Sequence, residues 1–335
     1  LLGGPRDTTL EVEIYRQTAI LLDLPTAAAL TILQMGGVLV LLLASARAQE
    51  GLAVQQRLRG SSETARPPRA GRERALVTVI LAATVLFMFL PLAVLVERSL
   101  AAPDGLGLAA YGSLLEADPR TRLTAAPWES VLASLRFALA TTLIAGSMGL
   151  MAALVVGYRR GWLARGLDAL VMLPLGTSAV IVGFGFLVSL DSPPLDLRTS
   201  ILLIPIAQAL IALPYVMRSV VPVVRSIDDR LREAAAVLGA SPRRAWREVD
   251  APILARAALV GAGFAFAVSL GEFGATLFIA RPDTVTIPVA IFRLLGQPGA
   301  ANFATAMALA VVLMILTASA VLLIERLRGG GPQPF

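Results

Sequence analysis

Two ionisable side chains, Glu272 and Arg136, stand inside otherwise apolar stretches, and they mark how little covalent chemistry this sequence can support. A carboxylate works as general acid or base with a partner at useful spacing. Neither paired carboxylates nor a G-x-S-x-G arrangement occurs here. The 335 residues include no His and no Cys. That inventory excludes Cys/His metal sites, thiol redox chemistry, disulfides and Ser-His-Asp or Cys-His nucleophiles. All 29 basic residues are Arg, so the lysine of a phosphate-binding loop, a kinase site or a Schiff base is missing too. The chain is expected to catalyse no covalent reaction and to bind neither metal nor cofactor.

The elements that hold these residues are set by hydropathy. The chain is 56% hydrophobic and only 16% charged, too apolar for a soluble domain. A helix needs about 20 mostly apolar residues to cross a bilayer. Seven stretches qualify: 27–46, 75–96, 131–157, 167–190, 200–222, 257–279 and 302–324. The expected fold is all-α, a polytopic membrane protein of about seven transmembrane helices. Segments 47–74, 158–166, 223–256 and the C-terminal tail, with Arg218 at a span end, carry 20 Arg, against eight on the opposite side. The positive-inside rule makes the Arg-rich side cytoplasmic, with the N-terminus outside and the C-terminus inside. The net charge of +6 is then topological rather than a nucleic-acid signal.

The segments TLEVEIYR (9–16) and TIPVAIFR (286–293) align, and each precedes an apolar span by about ten residues. Thr, Val, Ile and Arg are identical at four positions, and Tyr15 stands opposite Phe292. A duplication follows as the expectation. Residues 1–50 are read as the C-terminal end of a first half whose earlier spans are missing. Residues 51–74 are a cytoplasmic linker whose part GSSETARPPRAGRER lacks apolar periodicity and is read as flexible. Residues 75–328 form a complete six-span second half, and 329–335 a tail.

Between two spans of that second half lies EAAAVLGASPRRAWREVDAP (233–252). Glu233–Leu238 are good helix formers, and Gly239 sits where a left-handed cap would end the helix. Ser241 offers an N-cap with Pro242 at the first helical position, so a second short helix is expected through Trp246 and Val249. The reading is helix, tight turn, helix. Three uses stay open on these residues alone: a solvated connector, a DNA-binding helix-turn-helix with Arg243, Arg244 and Arg247 on phosphate, or a small-residue face that admits another protein.

The stretch resembles the EAA loop of ABC importer permeases, with Glu233, Ala234, Ala235 and Gly239 in place and then Val249, Asp250, Ala251 and Pro252. Ala251 departs from the Leu of that pattern. The resemblance implies a type I importer fold of six helices per half in the bacterial cytoplasmic (inner) membrane. It also implies a coupling helix, within a loop at 225–256, that docks on a separate ATPase. Glu233, Ala234, Ala235, Gly239 and Pro252 would carry that contact. Two ATPase subunits, which hold the ATP, and an extracytoplasmic solute-binding protein are the implied partners, with membrane lipid and no nucleic acid.

A second stretch, SLGEFGATLFIARPDTVTIPVAIFR (269–293), resembles permeases for thiamine, molybdate and sulfate. Fusion of two halves in one chain is shared with thiamine permeases, which implies thiamine or its phosphates as cargo, with iron(III) or molybdate and sulfate as alternatives. Glu272, Phe273 and Gln208 are candidate pathway residues. Glu272 should face protein or water rather than lipid, as a counter-ion for a cation or as a cap at a break near Gly271 and Gly274. Gln208 fits a pathway role or an interhelical hydrogen bond. Pro174, Pro205 and Pro214 fit hinges or ordinary kinks, and Gly146 and Gly149 close helix contact. An ion-coupled secondary transporter would explain the spans but not the hairpin.

Overall fold

The structure, a computed structural model, describes residues 8–52, 71–102, 105–117, 123, 125–159, 161–190, 197 and 199–329. Among these the regular structure is helical apart from one antiparallel pair of two-residue strands, β1 (Ala101–Ala102) and β2 (Gly105–Leu106). Six helices are long and apolar enough to cross a membrane, or seven if one sharply bent pair counts as a single span. The expected all-α, seven-span reading therefore holds, with three changes inside it.

The helices in chain order are α1 (Leu10–Tyr15), α2 (Leu24–Leu52), α3 (Gly71–Ser99), α4 (Ala109–Gly112), α5 (Pro127–Tyr158), α6 (Trp162–Gly176) and α7 (Ala179–Ser189). Then come α8 (Leu203–Ser226), α9 (Asp229–Val237), α10 (Pro242–Ala245), α11 (Ala251–Gly271), α12 (Gly274–Ile279), α13 (Ile287–Leu295) and α14 (Ala300–Gly329). The flexible linker expected at 60–74 lies largely outside the described residues. Its last four residues, 71–74, are already the first turn of α3. The tail from 330 also lies outside them.

The first change is at 167–190, which is two helices, α6 and α7, meeting at 105° rather than one straight span. Pro174 near the end of α6 removes a backbone donor, and Ser178 then caps α7 by accepting from the Val180 amide at 3.3 Å. The second is at 257–279, which breaks after Gly271 and resumes as α12. The third is that α10 does not end. A π turn at Trp246–Asp250 joins it to α11, making one helix from Pro242 to Gly271. The wide turn stands directly ahead of Pro252, whose ring would otherwise press on the carbonyl four residues back. Pro205 lies in the first turn of α8, where a missing donor is harmless, so it is no hinge.

Helices α5, α8 and α11 pack together as the centre of the bundle, with α14 against α11 and α12 against α7. Lipid tails are as apolar as Leu, so these helices associate through close packing and hydrogen bonds rather than hydrophobic burial. The contact surfaces are accordingly small: Ala145, Ala153, Ala209, Ala212, Ala257 and Ala265 are all buried. Val216 of α8 is held between two glycines. A Cβ on Gly149 of α5 would lie 2.8 Å from Val216 Cβ, and one on Gly261 of α11 would lie 3.0 Å from Val216 Cα. Gly146 is different. A Cβ there would meet only Ala262, at 3.9 Å, so the close contact expected at both glycines exists at Gly149 alone. Gly183 brings α7 onto α12 in the same way, with its would-be Cβ 2.6 Å from Ala275 Cα.

Gly149→Val is expected to destabilise the bundle by about 1–3 kcal/mol, the range for overpacking a close-packed contact. Gly146→Val should lie within about 0.5 kcal/mol of the parent. Thermal unfolding of the two variants in the same detergent measures the difference.

Candidate functional site

The hairpin at the Arg-rich end is built by its caps. Asp228 is the N-cap of α9 and accepts from the Arg230 amide at 3.0 Å. The helix thus starts at Asp229, four residues earlier than Glu233. Glu233 sits mid-helix and exposed, so helix capping falls to Asp228. The other end is a Schellman motif. The Ala240 amide donates to the Ala235 carbonyl at 3.0 Å and the Gly239 amide to the Ala236 carbonyl at 2.9 Å, with Gly239 at φ +82°. Only glycine takes that conformation without strain. Ser241 then accepts from the Arg244 amide at 3.4 Å, with Pro242 at the first position as expected.

Ala234 is exposed and Ala235 half-buried. Beside them Val237 and Leu238 are 88% and 87% exposed, an apolar tip aimed away from the bundle. The sequence reading passed over this pair, whose signal is two apolar residues immediately before a turn glycine. Pro252 lies on the far side of the π turn, in the first turn of α11, and not on the tip. The second helix of the hairpin is the foot of α11, unlike the separate recognition helix of a helix-turn-helix.

A cluster at the root of the hairpin was also missed. Asp250, 1% exposed, accepts from Arg232 Nε at 3.1 Å through each oxygen, from Arg232 Nη2 at 2.5 Å and from the Tyr158 hydroxyl at 2.9 Å. Arg232 Nη1 donates to Asp229 at 2.5 Å, and its guanidinium carbon lies 5.3 Å from the centre of the Tyr158 ring. Hydrogen bonding to Asp250 holds the Arg232 guanidinium above its ordinary range. The sequence counted Arg232 only as a topological charge.

The second constellation lies where α11 breaks. Glu272 has extended backbone, φ −70° and ψ 123°, and is 7% exposed. One carboxylate oxygen accepts from the Ala275 amide at 2.7 Å. The other accepts from the Thr276 amide at 3.0 Å and from the Thr276 hydroxyl. Of the two readings left open for Glu272, the geometry is that of the cap. Its oxygens are turned onto the orphan amides that start α12. Gln208 of α8, 1% exposed, makes the interhelical bonds. Its carbonyl accepts from Ser269 at 2.6 Å and Thr141 at 3.1 Å, and its amide donates to the Thr276 hydroxyl at 3.2 Å. Four helices, α5, α8, α11 and α12, meet on that one side chain.

Phe273, the remaining candidate, is half-buried outside this network and packs on Phe292 with ring centroids 5.3 Å apart. Phe292 meets Tyr15 at 6.3 Å, and Tyr15 meets Phe278 at 5.8 Å. Arg136 is exposed and borders a cavity of about 510 Å³ that Glu129 and Asp283 also line. Among the described residues no group of three His, Cys, Asp or Glu could hold a metal.

Among the described residues, six or seven apolar spans, one of them broken, a buried polar tie and a protruding hairpin define a polytopic membrane permease. The chain belongs to the family of binding-protein-dependent transport system inner membrane components, whose profile matches residues 145–328, more than half its length. It is the permease subunit of an ABC importer, a multi-pass inner-membrane protein. The permease protein PhnV of Salmonella typhimurium, named for 2-aminoethylphosphonate transport, is 29% identical over 249 residues, 72% of this chain and 90% of that one. The molybdenum transport system permease protein ModB of Mycobacterium tuberculosis is 32% identical over 207 residues, 58% of this chain and 76% of that one. The thiamine transport system permease protein ThiP of Brucella abortus is 26% identical over 341 residues, 99% of this chain but 58% of that one. A bacterial alginate ABC transporter, solved in complex with a pentasaccharide-bound periplasmic protein, superposes with a TM-score of 0.59 at 18% identity, over 78% of this chain and 97% of that one.

Glu272→Ala is expected to lower stability by about 1–2 kcal/mol, the loss of a helix cap. Glu272→Gln, which keeps a side-chain acceptor, should lose less than half of that. Thermal unfolding in detergent reads both.

Proposed function

We propose that this chain carries substrate through the inner membrane under the drive of separate ATPase subunits that grip the hairpin, and that its cargo is thiamine or its phosphates. The coupling half of this reading rests on the Schellman turn and the apolar tip. A short helix with no buried residue, ending in two exposed apolar side chains, is a surface made for a partner. Glu233, Ala234, Ala235 and Gly239 lie on or beside it. Pro252 acts instead at the foot of α11, by way of the π turn.

The cargo half rests on extent. The alignment with the thiamine permease runs over 99% of this chain, including α1 and α2, whereas the PhnV and ModB alignments cover 72% and 58%. The chain spans 58% of that relative's length. The two-halves arrangement has support from Tyr15 and Phe292, which align in the repeat and pack edge to face. Equivalent residues of two copies touch only beside the axis that relates the copies. A small oxyanion or phosphonate is the second reading, favoured by the higher identities to PhnV and ModB. Glu272 contributes little to the choice, since its carboxylate is taken up by the α12 amides and the Thr276 hydroxyl.

Gly239→Val forces a β-branched residue to positive φ, which costs about 1–2 kcal/mol at least. It should cut capture of the ATPase subunit at least tenfold in detergent extracts, while Gly239→Asn retains capture. Equal capture by both variants would remove the coupling assignment. Uptake into proteoliposomes, with ATPase and binding protein added, should follow radiolabelled thiamine and need ATP. Uptake of molybdate, iron(III) or 2-aminoethylphosphonate in its place would reassign the cargo, and uptake driven by an ion gradient without ATP would sink the importer reading.

A further inference from the structure

Helix α9 has no buried residue, so packing does not seat it. The chain ties it at its start to α8 through residues 227 and 228. At its other end the left-handed turn at Gly239 leads into α10. Neither connection reaches α5, whose last residue, Tyr158, is some 70 positions away in sequence. Among the described hydrogen bonds, the link from α9 to α5 runs through Arg232. Arg232 lays its fork on Asp250, at the foot of α11, and on the face and hydroxyl of Tyr158, at the foot of α5; Nη2 reaches that hydroxyl at 3.4 Å. Asp250 in turn accepts from Tyr158, so three helices share one carboxylate.

A planar, bidentate guanidinium–carboxylate pair fixes orientation as well as distance, which a lysine ammonium does not. Asp250 is also the last residue of the π turn, the one irregular turn in the long helix. Without the fork, a push on α9 could be absorbed by bending at Gly239 or at that turn. With it, the push goes to α5 and α11 together. Both helices run from this cluster to the Gln208 tie: α5 to Thr141, and α11 to Ser269.

We propose that Arg232 is a positioning residue for transport, whose pairing with Asp250 and Tyr158 makes α9, α5 and α11 move as one body when the ATPase displaces the hairpin. This rests on the hairpin being the ATPase contact, and goes beyond it by saying where the movement is delivered.

The chain has no cysteine, so spin labels can be placed at will. One pair, Arg159→Cys and Arg230→Cys, reports α5 against α9. A second, Leu132→Cys and Phe303→Cys, reports α5 against α14 at the far end. The labelled permease is reconstituted with its ATPase and trapped with ATP and vanadate. In the parent the 159–230 distance should not change on trapping, whereas the 132–303 distance should. In Arg232→Met the behaviour should reverse: the near pair shifts and the far pair loses its shift. Substrate moved per ATP should fall about tenfold, within the range a coupling residue commands. Arg232→Lys should recover part of this, and the exchange Arg232→Asp with Asp250→Arg more. Tyr158→Phe, which removes a hydroxyl and keeps the ring, serves if Arg232→Met fails to assemble, and should give a smaller loss of the same kind. A variant that traps vanadate and moves both pairs as the parent does would overturn the proposal, as would a near pair that already shifts in the parent. If the parent captures no ATPase at all, the coupling reading itself has failed, and that result is distinct from either.

Discussion

A backbone inside a bilayer has no water to bond, so wherever a spanning helix breaks, the amides it frees must find partners from the protein. The rest of this structure is organised around one such break, between Gly271 and Gly274. The carboxylate of Glu272 satisfies the amides of Ala275 and Thr276, and the Thr276 hydroxyl passes the network on to Gln208. Gln208 then gathers Thr141 and Ser269, so the repair of one backbone interruption becomes the tie among four helices. A carboxyl group set into an otherwise apolar span, which on its own would be a liability, is here a structural cap.

The helix that ends at this break begins outside the apolar layer. From the Ser241 cap, through the π turn and Pro252, to Gly271, it is one element of 30 residues. At one end it carries the turn and apolar tip of the hairpin, and at the other the polar tie. Rigid helices transmit displacement along their length, and the π turn that ends at Asp250, just ahead of Pro252, is where this one departs from regular geometry. Packing around it depends on small residues. Val216 between Gly149 and Gly261 brings α5, α8 and α11 to backbone contact, which suits association in lipid, where burial of apolar area gives no advantage.

Much of this was legible beforehand. Local chemistry announces itself locally: Gly239 as a left-handed cap, Ser241 with Pro242 as a helix start, and apolar runs of sufficient length. The hairpin's pattern by itself points to the family. What misled was continuity. An apolar run has no mark at the place where it bends by 105° between α6 and α7, and a helix that passes from Arg-rich to apolar sequence has no mark showing that it does not stop. Gly146 and Gly149 look alike in the chain and differ only in what faces them.

The amino-acid order by itself therefore determined class, membrane crossing and the hairpin turn, because each follows from transfer energetics or from backbone preferences a few residues wide. It also excluded covalent catalysis of the familiar His, Cys and Lys kinds by inventory. The tertiary structure decided the partners. That Arg232 would meet Asp250 18 residues on and Tyr158 74 residues back, and that Gln208 would join residues 61 to 68 positions away, depends on how the helices cross. A crossing is fixed by the sum of many weak side-chain contacts, and no short window of sequence contains that sum.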